Sequence, residues 1–207
     1  TDVDGVISAD PRVVPNAKLL EFIGYAEMLE YAVSGSGVLH PRCVEIAKKY
    51  DVPLRVLSSF SESQGTLIVK GDKLERIAVT GVTGASKIAR ATLVRVQDQP
   101  GVAAKVFETL AKSGINILLI IQSLQHQQTN DISIIIREED GPRVVQVLEG
   151  VAGEVGADKV ELATDVAKIS IIGSGIASTP GVAARLFRVL AEHSINIEFI
   201  STSEVRI

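Results

Sequence analysis

Asp98, Pro100 and Gly101 are the residues whose types and spacing suggest chemistry first. A Pro-Gly pair at the start of a helix brings the backbone close to a ligand and leaves first-turn N–H groups pointing outward, with the helix dipole adding to them. A carboxylate fits at Gly101, Val102 and Ala103. If that carboxylate belongs to an amino acid, its ammonium needs an acceptor, and Asp98 stands two residues before the proline. Asn116, Ile117, Gln122, Asn130 and Asp131 follow on neighbouring segments as further candidate contacts. The same residues also admit a purely architectural reading. The turn then serves geometry alone, Asp98 caps the helix, and Asn116 satisfies a backbone group at a strand start.

The pattern occurs twice. QDQPGVAAKVFETLAKSGINI (97–117) returns as ASTPGVAARLFRVLAEHSINI (177–197). Pro180, Gly181, Val182, Asn196 and Ile197 are kept, whereas Ser178 stands where the first copy has Asp98 and Ser194 where it has Gly114. A site that needs a carboxylate is therefore built on the first copy, and the second contributes mainly backbone, with Val182, Asn196 and Ile197 as its candidates.

The elements that must position these residues follow from periodicity. ATLVRV alternates as a strand, and Val102, Val106, Phe107, Leu110 and Ala111 then recur at helical spacing. INILLII and DISIII read as strands flanking a polar QHQQTN loop. A second helix starts with Asp140 as its cap and Pro142 in its first turn, and KVEL closes the unit. The order βαββαβ is ferredoxin-like, which makes the chain α+β. The second copy opens with KISIIG, repeats the helix and reads INIEFI as a strand before the sequence stops, as in a fragment. ERIAVTGV (75–82) is a strand-like segment without a partner in the first copy, and the expectation is that it completes the sheet of the second. Upstream, helices are expected near 18–34 and 41–50, with strands at LRVLSS and TLIVK; KGDKLE (70–75) marks a boundary. The resulting partition is 1–70, a linking segment 71–90, a first repeat 91–164 and a second repeat 165–207.

Composition narrows the partners. In 207 residues, 46% hydrophobic and 22% charged, the net charge is −4 with no Lys/Arg block, which argues against nucleic acid. No apolar run approaches the ~20 residues of a membrane span and no signal peptide opens the sequence, so a cytoplasmic location is expected. The single cysteine, Cys43, excludes a disulfide within the chain and a cysteine-built metal site, and its helix-like surroundings predict a buried position.

The paired DQPGVAAKVFETLAKSGINI and PGVAARLFRVLAEHSINIEFISTSEVRI resemble the tandem ACT domains at the carboxyl end of aspartokinases. TDVDGVISADPR, VLHPR, VPLRVLSSF and GTLIV resemble the end of that family's α/β amino-acid-kinase domain, in the same order. The resemblance implies ATP contacts at Thr1, Asp2 and Arg12, supported by Asp10, and a nucleotide accompanied by Mg. An Arg fork suits phosphate. Ile7 stands where many relatives have a tyrosine and Gly37 where some have a lysine, so neither inherits a nucleotide contact. His40, before Pro41, reads as shaping a helix start. The family's amino-terminal catalytic segment has no counterpart here, so no catalytic residue is expected in this chain. The resemblance further implies lysine and/or threonine as feedback effectors between ACT units, homodimerisation through those units, and a longer chain or a catalytic subunit as partner.

Overall fold

Gly81 to Gln97 form one long strand whose inward positions, Ala89, Ala91 and Leu93, are completely buried, and the first repeat is built around it. The computed structural model describes residues 1–71, 77–124 and 129–207, so part of KGDKLE and most of the QHQQTN loop lie outside the described residues. In chain order the elements are β1 (Phe22–Gly24), α1 (Tyr25–Val33), α2 (Pro41–Tyr50), β2 (Leu54–Val56), β3 (Thr66–Val69), β4 (Gly81–Gln97), α3 (Val102–Lys112), β5 (Leu119–Leu124), β6 (Thr129–Arg137), α4 (Gly141–Ala152), β7 (Lys159–Ile172) and α5 (Val182–Glu192).

The chain divides into two compact units, Ala85–Lys168 and the discontinuous set Thr1–Gly84 with Ile169–Ile207. In the continuous unit the sheet order is β5-β6-β4-β7, the ferredoxin-like order expected. β6 pairs antiparallel with both β4 and β5. Val106 and Leu110 of α3 and Val144, Leu148 and Val151 of α4 pack with Ile132, Ile134 and Ile136 of β6 in one core. Alternation places those three isoleucines on one face of β6, and every second residue on the other.

The discontinuous unit holds a three-stranded sheet, β1-β3-β2, with β1 parallel and β2 antiparallel to β3. Its core joins Val6, Met28, Tyr31, Val44 and Ile68 to Ile172, a residue of the second repeat. Beside Ile172 run two short antiparallel segments. Thr80 N–H donates to Ile172 C=O at 2.7 Å and Gly175 N–H to Ile77 C=O at 2.9 Å; on the other flank, Gly173 N–H donates to Val205 C=O at 2.9 Å.

Several local expectations are corrected. The helix expected near 18–34 begins only at Tyr25, because Leu19 bridges to Ile7 and Phe22 to Gly24 form β1. Asp140 makes no side-chain cap; it closes a 3₁₀ turn, Glu138–Asp140, that leads into α4. INIEFI is not a strand, since a strand exists only when its backbone finds a ladder partner. Cys43 is exposed, because α2 buries the face of Val44 and Ala47 instead. Among the described residues no helix is long and apolar enough to cross a membrane.

Candidate functional site

The first Pro-Gly turn is held open by its backbone. Gly101 is the N-cap of α3 with φ +96°, a conformation that disfavours side chains, and a Cβ there would meet nothing within 4 Å. Val102 N–H turns back to Gln99 C=O at 3.3 Å. The amides of Ala103 and Ala104 are the first-turn donors left without an intrahelical acceptor.

Asp98 sits exposed beside this turn, and Asn130 Nδ2 donates to Asp98 Oδ1 at 2.9 Å. Asn130 is only 3% exposed, on the core face of β6, and its Oδ1 has no hydrogen-bond partner among the described residues. A buried amide oxygen left unpaired is costly, so this acceptor is a feature to be explained. Gln122, exposed on the edge strand β5, lies opposite Ile132 and so shares the face of Asn130. Asn116 is exposed and Ile117 half-buried against the core.

Asp131 belongs elsewhere. It projects to the opposite face of β6, where its Oδ1 accepts Arg95 N–H at 2.8 Å. The β4–β6 register shifts between Leu93 and Val96, and Arg95 has φ +54°. The carboxylate stabilises that bulge, which returns Val96 to the buried face opposite Asn130. The sequence groups Asp131 with Asn130 as a candidate contact, and the alternation of the strand puts the two on opposite faces of β6.

The second turn lies in the other unit. Gly181 is the N-cap of α5 with φ +91° and equally open surroundings. Ser178, in place of the aspartate, ends a 3₁₀ turn and donates its hydroxyl to Gly175 C=O at 3.2 Å. Val182 and Ile197 are half-buried and Asn196 exposed. No residue of α5 is buried, whereas α3 fully buries Val106 and Leu110.

The nucleotide candidates are all exposed. Thr1 Oγ1 donates to Asp2 Oδ1 at 3.2 Å. Asp10 Oδ1 accepts Arg12 N–H at 2.9 Å, shaping the DPR turn and leaving the guanidinium outward. His40 is the N-cap of α2, its Nδ1 accepting Arg42 N–H at 3.2 Å.

Sequence reasoning passed over Glu27, which is 5% exposed. Its Oε2 accepts Gly24 N–H at 3.2 Å, while Oε1 accepts Thr80 Oγ1–H at 2.5 Å and Ser174 N–H at 2.9 Å. The only sequence signal was an acidic residue three positions after the helix start, the spacing of a reciprocal cap.

The sequence profile of the amino acid kinase family matches residues 1–58, and that of the ACT domain matches 94–151 and 169–207. The class is thus a segment of the amino acid kinase family followed by ACT domains. Aspartate kinase Ask_LysC of Stutzerimonas stutzeri is 43% identical over all of this chain, which spans 51% of that protein. The regulatory subunit of aspartate kinase from Thermus flavus is 40% identical and covers 63% of this chain, with 86% of its own length matched and a TM-score of 0.59. The chain belongs to the aspartokinase family. Escherichia coli aspartokinase III, solved with lysine and aspartate in a T-state and with aspartate and ADP in an R-state, matches 100% of this chain and 46% of its own. Identities are 26% and 28%, with TM-scores of 0.75 and 0.79 respectively. The chain spans about half the length of the curated relatives it matches.

Proposed function

We propose that this chain is the carboxyl-terminal kinase segment (1–70), a linker and strand (71–90) and two ACT units (91–164 and 165–207) of a cytoplasmic aspartokinase. The whole enzyme phosphorylates the side-chain carboxylate of aspartate with ATP. Thr1, Asp2 and Arg12 contact the nucleotide, with Asp10 holding the turn. Among the described residues no group of three or more His, Cys, Asp or Glu gathers as a metal cage. ATP would bring Mg²⁺ with it, an ion usually held by one or two carboxylates together with the substrate's phosphates.

Lysine, threonine or both act as effectors at the first Pro-Gly turn. The observation that carries this reading is the Asp98–Asn130 pair beside an open helix start. The carboxylate of the amino acid meets the α3 amides, and its ammonium meets Asp98, whose carboxylate Asn130 Nδ2 orients. Gly101, Val102, Ala103, Asn116, Ile117 and Gln122 line the approach. Val182, Asn196 and Ile197 are the second repeat's own candidates, and the chain forms a homodimer through its ACT units, an arrangement that protects sheet edges. Asp131 is left out of this set, since its carboxylate holds the bulge.

Isothermal titration calorimetry with lysine and threonine, singly and together, tests the reading. Asp98→Ala should weaken binding by about 10- to 100-fold, the loss expected of a charge-assisted hydrogen bond. Unchanged affinity in that variant would remove Asp98 from the site.

A further inference from the structure

We propose that Glu27 pins helix α1 to the second repeat, so that the two open and close as one unit and a rearrangement of the repeat reaches the kinase segment through α1. The regulatory consequence rests on the effector reading above; the pin itself does not.

A carboxylate this deeply buried is tolerated only when its lone pairs are filled. An acid serving α1 alone would need the Gly24 N–H and nothing more. Here the second oxygen reaches two donors far away in sequence, the Thr80 hydroxyl and the Ser174 N–H, from the two strand ends that pair around Ile172. One turn along α1, Glu30 repeats the grip. It accepts the Ser203 hydroxyl at 2.9 Å and pairs with Arg206 Nε at 3.1 Å, both side chains of the pair being mostly buried. Glu27 and Glu30 are three residues apart and share a helix face. Between them they hold both segments that flank the Gly173–Val205 hydrogen bond. Ser174 precedes the 3₁₀ turn that leads to Pro180 and Gly181, so a shift at the second Pro-Gly turn has a short covalent path to the pin.

Native-state hydrogen exchange on this chain under mild denaturant tests the proposal without any ligand. The amides of α1 and those of Ile171 and Gly173 should merge into one opening. Glu27→Gln, which keeps the shape and loses the charge, should lower protection at Ile171 and Gly173 at least 10-fold more than in α1. Thr80→Val deletes one donor from outside the helix and should split the two sets by about 3-fold, which covers the case in which Glu27→Gln does not fold. Val44→Ala is the control, because a general loosening of the shared core lowers both sets together. Separate openings in the wild type, or equal losses in the pin variants, overturn the pin. Calorimetry on the same samples keeps the two readings apart: failure of lysine and threonine to bind sinks the effector site and leaves a merged opening standing.

Discussion

Asn130 sets stability against the proposed binding role at the scale of one side chain. Its Nδ2 donates to Asp98, but its Oδ1 is buried with no partner among the described residues, on a face otherwise made of isoleucines. Replacing a half-satisfied buried amide by an apolar side chain of similar size is commonly neutral or stabilising. Asn130→Leu is therefore expected to hold or raise the melting temperature while amino-acid affinity falls at least 10-fold. A variant that loses stability and affinity together would make Asn130 a structural residue only. Tyr31 offers a second test. Burial first, and then the nearby Glu27 carboxylate, raise its phenol above the ordinary value of 10.0. The folded protein then keeps this proton at pH values where the unfolded chain releases it. Its contribution to stability is full below pH 10 and is lost as pH rises through the folded value, at up to about 1.4 kcal/mol per pH unit. Melting curves between pH 8 and 11 should fall more steeply for the wild type than for Tyr31→Phe. Parallel curves would mean that Tyr31 is not buried in solution.

Among the elements, close approach decides where the repeat departs from a simple copy. Gly81 opens β4, and a Cβ there would collide with the Tyr31 hydroxyl and the Ser8 carbonyl. Gly81→Ala should cost about 1–3 kcal/mol, the range of overpacked sites, and lower the melting temperature of the discontinuous unit. An unchanged melting temperature would show that β4 starts differently. None of this was legible beforehand, since Gly81 meets Tyr31 fifty residues away. Periodicity, by contrast, exposed α3, α4 and the ferredoxin-like strand order, because both signals repeat within a dozen residues. The Pro-Gly turn was legible too, because it lies within a few residues of the helix that it opens. The Asn130 bond to Asp98 was not, for it depends on a β4–β6 register that the Arg95 bulge resets. INIEFI has the composition of a strand and lacks a ladder partner, and Cys43 sits one position off the buried stripe of α2. Glu27 was hidden most completely, because its partners are 53 and 147 residues away.

For the whole molecule, the division of the chain sets what folds with what. Every buried residue of the first core cluster falls between Ala89 and Val155, inside the continuous unit Ala85–Lys168, and all four strands of its sheet run through that unit. The other core needs both ends of the chain, since Ile172 packs with Val6, Met28 and Val44. Both passages between units are made within single strands, β4 and β7, rather than loops. A segment covering 85–168 should thus fold alone, with a single cooperative urea transition and dispersed amide resonances. A segment ending at Lys168 should keep that transition and lose the other, because removing Ile172 opens the second core and removing Ser174 strips a donor from the buried Glu27 carboxylate. Calorimetry of the complete 207-residue chain should then resolve two transitions, one matching the isolated segment. If 85–168 proved molten while the complete chain unfolded in one step, the two cores would be thermodynamically inseparable. The repeat would then act as one body, and a ligand bound at the first Pro-Gly turn would be felt throughout the chain without any need for the Glu27 pin.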